Sequence, residues 1–206
     1  MKYDSIIFDM DGTLWDAVDS YCKVWDVTFA EIGRNDLTVT SHALIRCMGM
    51  PIARIYDEIV TDPTIDRDRF LTILDRNELE MMPRLGGKLY PGVEQTLREL
   101  ARTHRLFMVS NCGPEGLHNF VALTGLADVI TDTLTHGQTQ LPKDGNIKLL
   151  IEKYGLQSPV YVGDTASDCT SAHKAGIPFI HAAYGFGSAP DADAAISSIT
   201  MLPALV

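Results

Sequence analysis

The chain has 206 residues, 46% of them hydrophobic, and a formal net charge of -10, so it can bury a full core and is not composed like a disordered segment. That acidic balance, with no Lys/Arg run, argues against a protein whose main work is neutralising a nucleic-acid backbone. No stretch reaches the roughly 20 apolar residues a membrane span needs, and the apolar run after Ser5 is broken at once by Asp9, so a protein of the cytoplasm with no membrane partner is expected.

In chain order, Ile6-Ile7-Phe8 predicts a short buried strand, closed by Asp9-Met10-Asp11-Gly12-Thr13. Val18, Cys22, Trp25 and Phe29 follow at i, i+4, i+7 and i+11, an amphipathic helix stopped near Gly33. From about Ser41 to Glu80 the pattern stays helical, with breaks at Pro51 and Pro63. Met81 to Gly92, with Pro83, Gly86, Gly87, Pro91 and Gly92, reads as a hinge. Val93, Leu97 and Leu100 mark a helix, Arg105 to Ser110 a buried strand and Asp128 to Thr133 a weaker one. Ile147, Leu150, Ile151 and Tyr154 mark the next helix, with Asn146 as candidate cap and Gly155 as stop. A strand over Pro159 to Gly163, a small-residue helix over Ala166 to Ala175 and a last strand over Ile177 to His181 complete the series. Gly185 to Asp193 reads as a loop.

Strands alternating with helices predict an α/β fold, a Rossmann-like parallel sheet with helices on both faces, because each parallel connection needs a crossover. The helical stretch after the first strand predicts an inserted cap. The division is a core of residues 1–14 and 87–206 and a cap of residues 15–86. Ligands in open parallel sheets bind at the carboxyl ends of the strands.

Chemistry-bearing residues fall at those ends. Asp9 and Asp11, two apart in an extended chain, can face one pocket while Gly12 lets the backbone turn out of the sheet; a plain strand-closing Asp-Gly turn is the alternative. Ser110-Asn111 offers a hydroxyl and an amide for phosphoryl or carboxylate oxygens, and is also an ordinary turn signal. Asp164 and Asp168 lie one helical turn apart beyond Gly163, either facing the pocket or serving as an acidic helix start. Lys143 precedes the Ile147 helix and can offset the carboxylates' repulsion.

Taken together, these residues resemble the haloacid dehalogenase superfamily over essentially the whole chain. The family's Asp-x-Asp-Gly-Thr stands as Asp9 to Thr13, its Ser/Thr-Asn as Ser110-Asn111, its lysine as Lys143 and its Gly-Asp-x-x-x-Asp as Gly163 to Asp168. The family's lysine is commonly followed by proline, whereas here Pro142 precedes Lys143, so Lys148 stands as a second candidate. Tyr184-Gly185-Phe186-Gly187 resembles a stretch common in phosphoglycolate phosphatase-like members.

The resemblance implies a phosphatase acting on a small phosphorylated metabolite, with Mg2+ as cofactor. It implies Asp9 as nucleophile and Asp11 as general acid and base, phosphate binding by Ser110, Asn111, Lys143 and the backbone N–H groups around Met10 to Thr13, and metal ligation by Asp9, the Asp11 carbonyl and Asp164, supported by Asp168. A phosphomutase of the beta-phosphoglucomutase type and a catalytically silent binding protein on the same fold are the alternatives. A carbon-attacking dehalogenase characteristically lacks the second aspartate. Arg46 and Arg54, flanking Gly49-Met50-Pro51, are either readers of a substrate anion or surface cations. Cys22, Cys47, Cys112 and Cys169 contain no Cys-x-x-Cys pair, which indicates neither zinc cluster nor disulfide framework, and the six histidines show no ligand spacing. Cys112, beside Asn111, is either oxidation-sensitive or an inert packing residue.

Overall fold

The computed structural model describes residues 2–206. The chain opens with β1 (Ser5–Phe8), every residue of which is buried, as a strand covered on both faces requires. A short strand β2 (Trp15–Asp16) leads into four helices, α1 (Val18–Glu31), α2 (Ser41–Ile45), α3 (Ile52–Ile59) and α4 (Arg67–Leu85). Pro51 caps the N-terminus of α3, where a missing N–H costs nothing. Trp25, Phe29, Tyr56 and Phe70 pack around one another with ring centroids 5.1 to 6.1 Å apart, which ties α1, α3 and α4 together.

The expected hinge over 81–92 takes a more definite form. Helix α4 continues through Pro83 to Leu85, and β3 (Lys88–Leu89) then pairs antiparallel with β2. A Cβ on Gly87 would sit 2.7 Å from the Trp15 ring, so the return crossing is a close-packed two-stranded ribbon.

Beyond it come α5 (Val93–Leu100), β4 (Arg105–Ser110), α6 (Gly116–Thr124), β5 (Ile130–Thr135), α7 (His136–Thr139), α8 (Lys143–Tyr154), β6 (Pro159–Gly163), α9 (Ala166–Ala175), β7 (Phe179–Ala182) and β8 (Ala194–Ile196). A 3-10 helix over Ile199–Ala204 ends the series. The weaker strand begins and ends two residues later than expected, and α8 starts behind Pro142 with Asn146 buried inside it. Gly155 and Gly176 end α8 and α9 in the left-handed conformation, as glycine after a helix permits.

Six parallel strands form one sheet in the order β5-β4-β1-β6-β7-β8. Alternate residues enter two cores. Ile6, Phe8, Leu106, Met108, Val160 and Val162 pack on one side with Leu97, Leu117 and Phe120. Ile7, Phe107, Val109, Tyr161 and Phe179 pack on the other with Ile147 and Leu150. Helices therefore cover both faces, the expected fold. The chain builds outward from β1 to β5, then crosses over to build β6, β7 and β8 on the other side. That reversal at β1 makes the crevice at its carboxyl end the place for a ligand.

Candidate active site

Three adjacent strands end side by side: β4 at Ser110, β1 just before Asp9 and β6 just before Asp164. Asp9 continues the ladder for one more bond, its N–H donating to Val162 O at 2.9 Å. The chain then turns sharply, with Thr13 and Leu14 N–H donating to Met10 O and Gly12 N–H to Trp15 O. Gly12 has φ +82°, and a Cβ there would lie 2.3 Å from Asp164 Oδ2. Glycine is needed both for the conformation and for the approach. The amides of Gly12 and Thr13, expected among the anion donors, are thus spent on carbonyls. Among the described residues, the Met10 and Asp11 N–H groups donate to no backbone carbonyl.

Asp9, Asp164 and Asp168 are buried and bring carboxylate oxygens within 4.8 Å of one another. Between Asp9 and Asp168 sits the Lys143 ammonium, 3.0 Å from Asp9 Oδ1 and 2.5 Å from Asp168 Oδ1. Lys148, on the same helix, is exposed and lies 3.5 Å from Asp144. Both sequence readings of Asp168 hold at once, since its Oδ2 accepts from Thr165 N–H at 3.0 Å and Oγ1–H at 2.7 Å, forming a capping box at the start of α9. Asp164 Oδ2 accepts from Phe186 N–H at 2.9 Å and its Oδ1 from the Thr13 hydroxyl at 3.3 Å.

Asp11 lies just outside the carboxylate triad. Its Oδ1 accepts from Trp15 Nε1–H at 3.0 Å, a partner that the sequence reading missed although it stands only four residues on. Ser110 is buried, and its Oγ lies 3.4 Å from the Cys112 N–H. Asn111 donates to Gly49 O at 2.7 Å, tying the end of β4 to the loop between α2 and α3. Arg46 and Arg54 are exposed and line no part of the cavity above Asp9 and Asp11. That cavity is walled by Tyr21, Trp25, Leu44, Met48, Ile55 and Glu78, with Ser110 and Asn111 below. Glu78 reaches it from α4, and no sequence signal marked it.

Burial governs the electrostatics. It pushes Asp9 up to about 6, against the opposing Lys143 charge, and Asp164 up to about 7, with Asp168 and Asp9 adding to the rise. Asp11 is raised well above the carboxylate range by burial and then by the Asp9 charge. Burial alone would lower Lys143, but Asp168 and Asp9 outweigh it and hold the ammonium charged. Burial also lifts Glu78 to about 8 and the Cys112 thiol to about 12, so Cys112 is an unreactive thiol.

The donor set suits a hard cation. Asp9 Oδ1 is buried with no aligned hydrogen-bond donor, although the Lys143 ammonium is near, and it stands beside Asp164 with only oxygen ligands at hand. Two such raised carboxylates favour a bound divalent charge that would let both ionise.

The pattern of residues has close counterparts. The haloacid dehalogenase-like hydrolase family matches residues 6–182. The chain is 29% identical over 216 residues to a plasmid-encoded phosphoglycolate phosphatase of Cupriavidus necator, covering 98% of this chain and 92% of that protein. It is 26% identical to the pyrophosphatase PpaX of Oceanobacillus iheyensis over 86% of this chain and 82% of that one. A solved structure described as a predicted phosphoglycolate phosphatase from Haemophilus somnus 129pt superposes with a TM-score of 0.87 at 21% identity, covering 100% of this chain and 98% of the other, and so shares the fold. With its match spanning most of the chain and its carboxylates gathered at the strand ends, this protein belongs to the haloacid dehalogenase-like hydrolase family.

Proposed function

We propose that the chain is a Mg2+-dependent phosphatase of the cytoplasm that hydrolyses a small phosphate monoester through an aspartyl phosphate on Asp9. The observation that carries this reading is the pairing of two differently held carboxylates. Asp9 Oδ1 is buried with no aligned hydrogen bond, the Lys143 ammonium standing 3.0 Å from it, and burial with the Asp9 charge raises Asp11 well above the ordinary carboxylate range. The names of the curated relatives, phosphatases among them, support the same chemistry.

Phosphate monoesters are among the slowest of uncatalysed hydrolyses, with enzymatic accelerations up to about 10²¹-fold, so nucleophile, charge neutralisation and proton transfer must act together. Asp9 attacks phosphorus as the bond to the leaving oxygen breaks. Asp11 gives its proton to that oxygen, and then takes one from the water that cleaves the aspartyl phosphate. Ser110, Asn111, Lys143 and the amides of Met10 and Asp11 bind the phosphoryl oxygens and stabilise the developing charge. Asp9, the Asp11 carbonyl and Asp164 would hold Mg2+, which offsets the repulsion between the nucleophile and an anionic substrate. Asp168 orients Lys143 from behind.

Residues 1–14 and 87–206 act as the core and residues 15–86 as the cap. The Asn111 to Gly49 hydrogen bond supports this division, because it joins the phosphate-binding loop to the helices that cover it. Among the described residues no helix is long and apolar enough to cross a membrane.

The test is magnesium-dependent release of p-nitrophenol from p-nitrophenyl phosphate. Asp9→Asn is expected to abolish it and Asp11→Asn to slow it by about 100-fold or more. Normal turnover by a purified Asp9→Asn variant would overturn the mechanism.

A further inference from the structure

The cavity over the candidate nucleophile carries a charge pattern that bears on the leaving group. Resting on the phosphatase reading above, we propose that the preferred substrate is the phosphate ester of a short amino alcohol, with its ammonium group received by Glu78 and its alkyl body by the apolar wall.

Glu78 projects from α4 into the cavity, and among the described residues it has no hydrogen-bond or ion-pair partner. Around it stand Tyr21, Trp25, Leu44, Met48 and Ile55, a surface for a small aliphatic group. A second cavity beside α6 shares Tyr21, Glu78, Cys112 and Gly113 with the first, and adds Asp75 and Glu115. Among the described residues, no Lys, Arg or His lines either cavity. Lys143 is the single cation at the strand ends among the described residues, and it is held between Asp9 and Asp168. Arg46 borders a separate groove with Thr38, Thr40 and Glu58.

Burial lifts Glu78 to about 8, so a phosphate ester with a carboxylate on its leaving group, as in phosphoglycolate, would bring that second negative charge beside a carboxyl that already resists ionising, with no cation lining the cavity among the described residues. A carboxylate left without a cation partner in a desolvated site selects against the ligand, whereas an ammonium draws Glu78 toward its ionised form. An ammonium in the same place supplies the partner that Glu78 lacks, and its desolvation is offset by a charge-assisted hydrogen bond. The chain therefore departs in preference from the relatives named for phosphoglycolate.

Three esters of nearly equal size separate the possibilities: O-phosphoethanolamine, ethyl phosphate and phosphoglycolate, assayed with Mg2+ alongside p-nitrophenyl phosphate. We expect kcat/KM to be at least about 10-fold higher for O-phosphoethanolamine than for phosphoglycolate, with ethyl phosphate between them. In Glu78→Gln that ratio falls toward one, and in Glu78→Lys it inverts, with thermal unfolding of each variant confirming a folded chain. Equal or faster hydrolysis of phosphoglycolate by the unmutated protein overturns the proposal, as does a ratio unmoved by Glu78→Gln in a folded variant. Turnover of p-nitrophenyl phosphate with none of the three small esters also overturns it, while leaving the phosphatase reading intact. Failure on p-nitrophenyl phosphate and on every ester would bring down the phosphatase reading as well.

Discussion

Lys143 shows how a single buried charge organises the strand ends. Its ammonium lies between two buried carboxylates, so removing it leaves Asp9 and Asp168 facing each other without compensation. Breaking a buried ion pair by deleting one partner costs about 3–5 kcal/mol. Lys143→Met is expected to lower unfolding free energy by about that much and to abolish turnover, whereas Lys148→Ala, at an exposed pair, should change stability by no more than about 0.5 kcal/mol. Urea unfolding of the two variants checks this, and equal losses would contradict it. The sequence left these lysines as alternatives for a physical reason. Five residues turn a helix by about 140°, so only one can face inward, and that choice depends on how α8 packs on the sheet.

Among the elements, the turn after β1 is the tightest. Gly12 and Gly33 both have φ +82°, but a Cβ on Gly12 would meet Asp164 Oδ2 at 2.3 Å and the Phe186 ring at 2.7 Å, whereas one on Gly33 would meet nothing within 4 Å. Gly33→Ala should cost about 1 kcal/mol in backbone strain and leave turnover unchanged. Gly12→Ala should cost about 1–3 kcal/mol and also lower kcat/KM by about 100-fold, because the Asp164 carboxylate must move. Parallel measurement of melting and kinetics distinguishes the two, and an active Gly12→Ala enzyme would refute the close approach. Local patterning made the strand β1 and the glycine stops of α8 and α9 legible, since each rests on a run or a single residue. It could not reveal β8, a three-residue edge strand, nor α6, whose nine residues begin with glycine and bury only Leu117 and Phe120. Both exist because the sheet and its flanking core provide a surface for them.

At the scale of the molecule, gathering carboxylates at one sheet edge links stability to pH. Asp164 titrates at about 7 in the fold and near the ordinary carboxylate value when unfolded, so the folded state binds the extra proton between those limits. Without metal, its contribution therefore destabilises the fold progressively as pH rises from about 4 to about 7, and is absent below that range. Asp164→Asn removes the effect. In EDTA at pH 8 its melting temperature should exceed that of the unmutated protein, while at pH 4, where only the lost acceptor for Thr13 or Phe186 remains, it should be equal or lower. Magnesium at pH 8 should reverse the order, because binding stabilises the ionised site. A variant that melts below the unmutated protein in EDTA at pH 8 would show that this linkage is absent.

The sequence by itself determined the parallel α/β architecture and the two carboxylates spaced to share a pocket, because strand period and helix stripe are local properties of the chain. It also carried the family resemblance, through four short motifs. Only the tertiary structure decided which lysine meets Asp9, that Trp15 holds Asp11, and that Phe186 anchors Asp164. Glu78 is the clearest case, 67 residues beyond Asp11 on a helix whose face toward the site is set by packing against α1. Strand order and helix docking arise from contacts between residues far apart in the chain, so what stands over the opening Asp9 and Asp11 pair was settled by the fold.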